Sequence, residues 1–261
     1  MKRFALAALK VIAMLAVAAL ATTPSVAQTS DEHATLDRPF HPLFSDAGRH
    51  PLVRAIRSLS GPTMDTFLDF GIELNGDESS QPMVVITSAE GLSVGQALER
   101  ILAQAPDYDF QVKSAHFISV APKRMRSDPA DLLNLKVARF DVEGVQSGKI
   151  LTWPESVIPE LMRVMYPDKP GDPQAVHVYM GLGVSIGPLV TLHLRDTTVR
   201  EILDAVSIET EIGALKNGLA LGWLSTMEHK KDLTPTLKWQ LLTTAPGNWK
   251  QLRTDAHTPT P

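Results

Sequence analysis

The chain has no cysteine among its 261 residues, which excludes disulfides, thiol nucleophiles and thiolate metal sites together. A lipid attached through a cysteine is excluded on the same ground. Without cross-links the fold must rest on a hydrophobic core, and a composition 44% apolar supplies one. Positive charge is also scarce. Lys and Arg number 25 against 29 Asp and Glu, and the only basic cluster is Lys123-Arg124-Met125-Arg126, read as a solvated linker. A mildly acidic chain of this kind argues against nucleic acid and anionic membrane surfaces as partners. No HExxH pair, phosphate-binding loop or dinucleotide fingerprint occurs, so no cofactor or metal is expected. His33, His41 and His50 have spacings that suit no metal-binding helix or hairpin. His177 and His193 provide two ligands without a nearby third.

There is one long hydrophobic run. Lys2, Arg3 and Lys10 precede the uninterrupted stretch Val11 to Ala21, which is too short for the ~20 apolar residues of a bilayer span. Pro24 then breaks a helix, and Ser25-Val26-Ala27 places small residues where a signal peptidase cuts, giving cleavage between Ala27 and Gln28. The expectation is export to the periplasm or the medium, with no membrane span after cleavage. Removal of residues 1–27 takes away three basic groups and leaves a formal charge of −7.

Residues 28–48 are polar and carry Pro39 and Pro42, the pattern of a mobile leader. A first α+β unit is expected over 49–122, a linker over 123–135, a second unit over 136–226 and an extension with a polar tail over 227–261. In the first unit Leu52, Ile56 and Leu59 form a helical stripe. Thr66 to Leu74 reads as a strand closed by Asn75-Gly76-Asp77, and MVVI from Met83 as another. Ser93-Val94-Gly95-Gln96 is a capping box, in which the serine and glutamine cover free amides at a helix start. Val94, Ala97, Leu98, Ile101 and Leu102 follow as one apolar face, and two alternating strands come after. The second unit repeats the order. Val190, Leu192 and Leu194 alternate, Thr198 and Glu201 form a capping box, and Val199, Ile202, Leu203 and Val206 make the stripe. Asn217-Gly218 reads as a hairpin turn, followed by alternating Leu219, Leu221 and Trp223. The segment before it adds a strand at ARFDVEGV and a helix from Glu155 to Met165. The fold class is therefore α+β: two small units related by internal duplication, each with helices on a short mixed sheet.

The stretches SVGQALERILAQAPDYDFQVKSAHFISVAP and TVREILDAVSIETEIGALKNGLALGW resemble the short N-terminal domain of secretins and TonB-dependent receptors. In that family a strand, a capped helix and two further strands build a small α+β sandwich. The resemblance covers about a third of the chain beyond the signal peptide, and no pore or barrel region follows. It implies a small interaction module of the bacterial cell envelope that docks a protein partner by strand pairing or a sheet face.

The one enzymatic candidate is Gly183-Val184-Ser185-Ile186-Gly187, which matches the nucleophile elbow of α/β-hydrolases in residue type. That motif needs a helix directly after the serine, whereas Pro188 and an alternating strand follow. Asp204 with His229 or His257 are the later acid and base that Ser185 requires. The other reading is a glycine-rich turn in which Gly181, Gly183 and Gly187 let the backbone approach a ligand or partner. Glu209 and Glu211 are expected at a solvated helix end, and Trp223, Trp239 and Trp249 as packing residues. Expected function is thus a non-catalytic exported binding module, with a serine hydrolase and an envelope scaffold as alternatives.

Overall fold

A computed structural model describes residues 34–40, 48–61, 67–76, 78–85, 91–166, 187–217, 220–229 and 235–244. The expected cleavage position at Ala27 and Gln28 lies outside the described residues. The elements in chain order are β1 (Arg49–Pro51), α1 (Leu52–Arg57), β2 (Asp69–Leu74), β3 (Met83–Val85), α2 (Val94–Leu102), β4 (Tyr108–Val112) and β5 (Phe117–Pro122). After them come α3 (Lys123–Ser127), β6 (Lys136–Gln146), α4 (Ser147–Thr152), α5 (Pro159–Met165), β7 (Leu189–Thr198), α6 (Val199–Asn217), β8 (Ala220–His229) and β9 (Pro235–Thr244). Single 3-10 turns occur at Glu78–Ser80, Leu132–Asn134 and Pro154–Ser156. The fold is α+β.

Both expected capping boxes form. Ser93 Oγ accepts from Gln96 N–H at 3.3 Å while Gln96 Oε1 accepts from Ser93 N–H at 3.0 Å. At the start of α6, Thr198 Oγ1 accepts from Glu201 N–H at 3.2 Å and Glu201 Oε2 accepts from Thr198 N–H at 2.8 Å. Each box satisfies two amides that a helix start otherwise leaves open, and loss of such a cap costs ~1 kcal/mol. The apolar stripe of α2, from Val94 through Leu102, is buried as its periodicity predicts.

One five-stranded sheet joins the two halves, in the order β4-β5-β2-β8-β9. The central β2 runs parallel to both neighbours, while β4–β5 and β8–β9 are antiparallel hairpins. Phe70, Ile72 and Leu74 of β2 face α1 and α2 in a cluster with Leu52, Ile56, Leu98 and Ile118. The opposite face packs Phe117, Leu221 and Trp223 against Val199, Ile202, Leu203 and Val206 of α6, together with residues of the antiparallel β6–β7 ribbon. Fully burying each such aliphatic or aromatic side chain contributes ~1.5–3 kcal/mol.

The architecture differs from the expected one in five places. The hairpins of the two units share one sheet, with β8 on the free side of β2, where a separate sheet for each unit was expected. Asn217 ends α6, so the helix runs on where a hairpin turn was expected; Asn-Gly suits a helix end as well as a tight turn. The hairpin after α6 is β8–β9, and β9 falls in the stretch read as a fading extension. Residues 34–40, read as leader, are packed in place. Phe40 and Thr35 are buried, Phe40 N–H donates to Leu92 O at 2.8 Å, and Val94 N–H donates to Arg38 O at 2.8 Å. Residues 123–135, read as a solvated linker, fold into α3 and a 3-10 turn with Met125 and Leu133 buried.

Candidate functional site

A cleft of about 670 Å³ opens at the junction of the two halves. One wall is the end of β4, with Gln111 and Lys113. The floor is the 126–136 connection, including Arg126, Asn134 and Lys136, and the third side is the start of α6, with Thr198, Arg200 and Glu201. The capping box fixes the last side. It turns the chain sharply from β7 into α6 and places Arg200 in the first helical turn, pointing between the cleft and the sheet.

Behind Arg200 lies a buried polar layer. The residues of β2 that alternate with its apolar side chains are Asp69, Gly71 and Glu73, and α6 covers them. Arg200 Nη1 lies 2.6 Å from Glu73 Oε2 and its Nη2 lies 3.5 Å from Asp131 Oδ2, with Arg200, Glu73 and Asp131 all nearly removed from solvent. One turn along α6, Asp204 Oδ1 accepts from Trp223 Nε1 at 3.1 Å, and Lys113 Nζ stands 3.9 Å from Asp204 Oδ2. Trp223 lies directly opposite Gly71 across the β2–β8 pairing. A Cβ at Gly71 would come within 2.6 Å of the indole, so only glycine lets the ring lie flat over β2. Arg126 closes the layer at the cleft, donating to the Asp109 carboxylate and, at 2.8 Å, to Ser119 O.

Burial dominates the electrostatics. It pushes the Glu73 carboxyl up to about 8, against the opposing pull of Arg200, and Asp131 adds to the rise by hydrogen bonding. The rise favours the neutral form of Glu73 near neutral pH. Asp204 is raised by burial to about 6, with Lys113 and Arg200 holding it lower than burial alone would. Perturbed carboxyls beside a cleft mark a candidate site. Here Glu73, Asp131 and Asp204 stand on the core side and only Arg200 reaches the cleft wall. The arrangement holds Arg200 rigidly and presents donors to whatever enters.

The cleft wall carries cations that differ in their commitments. Arg126 is paired with the Asp109 carboxylate, and Arg200 lies within 3.5 Å of Glu73 and Asp131. Lys136 makes no ion pair among the described residues, and Lys113 has Asp204 only at 3.9 Å. The acidic groups of the wall are satisfied locally: Glu201 by Thr197, Thr198 and the Thr198 amide, and Asp128 by the Ala130 amide at 2.9 Å. An entering ligand thus meets two lysine ammonium groups not yet held at hydrogen-bond distance.

The residues singled out from sequence lie elsewhere. Ser185, Gly181 and Gly183 lie outside the described residues, as do His33, His41, His177, His257 and Trp249; the His229 side chain is also outside them. Gly187 has φ +89, and a Cβ there would meet Leu221 Cδ1 at 2.3 Å and Ser147 Oγ at 2.4 Å. Its close approach is thus to the protein's own core. Asp204, the acid required by the Ser185 reading, is committed to Trp223 and Lys113. His50 is buried on β1, and His193 is an exposed partner of Asp141 at 3.1 Å. Arg195, Arg139 and His193 together hold the Asp141 carboxyl well below the usual range. Among the described residues no group of three or more His, Asp or Glu side chains could hold a metal ion. No helix among them is long and apolar enough to cross a membrane. Trp223 is fully buried and Trp239 half-buried, as packing residues.

Glu209 is exposed, but Glu211 corrects the expectation of a solvated pair. It is buried, accepts from Ser114 Oγ at 2.5 Å, and is pushed up to about 7 by burial. Glu73, Asp131 and Arg200 were not found from sequence. The available signal was two carboxyls, Asp69 and Glu73, on alternate positions of a strand whose other face is wholly apolar; it was open to a solvent-facing reading. No family model matches the chain, and no curated protein or solved structure matches it.

Proposed function

We propose that the protein is an exported, non-catalytic interaction module of the bacterial cell envelope that docks a protein partner at the cleft between its halves. The observation that carries the reading is the cleft itself. A rigidly held arginine and two lysines, Lys113 with Asp204 only at 3.9 Å and Lys136 with no hydrogen-bonded partner among the described residues, line a recess large enough for several residues of another chain.

The signal-peptide pattern of residues 1–27 supports export to the periplasm or medium. The resemblance to the short N-terminal domain of secretins and TonB-dependent receptors is supported by the layout of 49–122. There α1 and α2 sit between the β1–β3 pair and the β4-β5-β2 part of the sheet, a small α+β sandwich. A diverged second copy is supported by the order β6, α4, β7, α6, β8, β9, in which a two-stranded ribbon, a capped helix and a hairpin recur.

The test is to produce the tagged chain through its own export signal, cross-link it in cells and identify what co-purifies from envelope extracts. The captured protein is then rebound in purified form. Saturable, stoichiometric binding of one envelope protein is expected. Labelling by an active-serine probe that disappears in Ser185→Ala would establish the hydrolase alternative and overturn this reading.

A further inference from the structure

The edge of β4 is open in a way that those of β3, the β6–β7 ribbon and β9 are not. Lys113 N–H donates to Phe117 O at 2.9 Å, and Lys123 N–H donates to Asp107 O at 2.7 Å. With the β4–β5 register, these bonds place the main-chain groups of residues 107, 109, 111 and 113 toward β5. Those of residues 108, 110 and 112 therefore point away from the sheet. Tyr108 N–H is taken by Ala105 O at 2.9 Å. The N–H and C=O of Phe110 and Val112 meet no partner among the described residues. Four main-chain groups in a row are a template for another strand.

The edges of β3, the β6–β7 ribbon and β9 are guarded. On β3 the Gln104 side chain closes the end of the strand, accepting from Val85 N–H at 2.8 Å and donating to Val85 O at 3.0 Å. The β6–β7 ribbon is interrupted by a bulge between Val142 and Val145, and carries Arg139, Asp141, Glu143 and Arg195 along its length. On β9 exposed Lys238 stands in mid-strand. These are the devices that prevent strand addition. Within β4 the Asp109 carboxylate is neutralised by Arg126.

The two faces of β4 define what can lie there. Phe110 and Val112 are half-buried on the α1/α2 side, packed at the rim of that core. Gln111 and Lys113 face the other way and line the cleft, with Lys136 across it. Side chains of an added strand alternate between these two environments.

We propose that the β4 edge is a strand-addition site for an extended segment of a partner protein whose residues alternate between apolar and acidic. The apolar side chains extend the ledge of Phe110 and Val112, and the acidic ones enter the cleft beside Lys113 and Lys136. The proposal rests on the interaction-module reading and names its docking site and the chemistry of its partner.

The probe is a fluorescein-labelled octapeptide of alternating valine and glutamate, tested against the full exported chain by anisotropy at low salt. Controls are a peptide of the same composition with the valines in one block and one with lysine in place of glutamate. Only the alternating acidic peptide is expected to bind saturably, with amide exchange slowed at Phe110 and Val112. Val112→Pro removes one outward N–H and no bond to β5, so it is expected to weaken binding at least about tenfold while the melting curve holds. A peptide N-methylated on its pairing edge gives the same loss without altering the protein, which covers the case of a variant that folds poorly. Equal binding of the control peptides, unchanged binding to Val112→Pro and to the N-methylated probe, or protection on another strand overturns the proposal. So does a dimer of the chain alone that Val112→Pro dissociates, since a second copy would then be the occupant. Capture of an envelope partner that binds Val112→Pro undiminished sinks the edge proposal and leaves the module reading standing. Labelling of Ser185 by the active-serine probe sinks the module reading.

Discussion

Replacing Glu73 by glutamine should make the protein less sensitive to alkaline pH, by an amount set by the position of Glu73. The side chain is 1% exposed, between Arg200 and Asp131, and burial raises its carboxyl from an ordinary value of 4.5 to about 8. A group whose folded value is raised gives its full stabilisation below the unfolded value. That stabilisation is lost as pH climbs through the folded value, because the unfolded chain releases the proton first. Each pH unit in that window is worth about 1.4 kcal/mol, so on the order of 5 kcal/mol separates pH 4.5 from pH 8 and above. Glu73→Gln keeps the neutral shape and a donor toward Asp131 but cannot ionise. Urea unfolding followed by tryptophan fluorescence at pH 5, 7 and 9 should therefore show the variant close to the wild type at pH 5. Its relative stability should rise steadily to pH 9. Asp204 and Glu211 are raised by burial too and impose the same direction on both proteins, so the difference between the two isolates Glu73. A difference in unfolding free energy that stays level across the three pH values refutes the assignment of a buried, protonated Glu73.

Gly71→Ala drives a Cβ to within 2.6 Å of the Trp223 ring and should destabilise the fold by about 1–3 kcal/mol, read as a lower thermal midpoint. An unchanged melt would mean that the indole does not lie over β2. Thr198→Ala removes the hydroxyl that accepts from Glu201 N–H and should cost ~1 kcal/mol by denaturant titration, with Thr198→Ser restoring most of it. Gly187→Ala combines a positive φ with a 2.3 Å approach to Leu221, and should lose about 1–3 kcal/mol or more. Wild-type stability there would show that the turn is free to move away from the core.

Local physics wrote much of this fold into the sequence. Ser93 with Gln96, and Thr198 with Glu201, specify helix starts by contacts within four residues, and both form as read. The apolar stripes of α2 and α6 needed nothing beyond periodicity to be assigned to a core, and the run Thr66 to Leu74 read as a strand. The absence of cysteine likewise settled that no disulfide holds the structure. What sequence could not decide is which surface meets which. Asp69, Gly71 and Glu73 read equally well as a solvated strand face, until α6 is laid across them and turns the carboxyls into a buried layer around Arg200. Asn217-Gly218 was ambiguous between a hairpin and a helix end, because both use the same residues. The shared sheet, the Trp223–Gly71 contact and the cleft between Lys113, Lys136 and Arg200 join positions up to a hundred or more residues apart. They depend on β8 pairing with the free side of β2, and only the tertiary packing of the two halves selects that pairing.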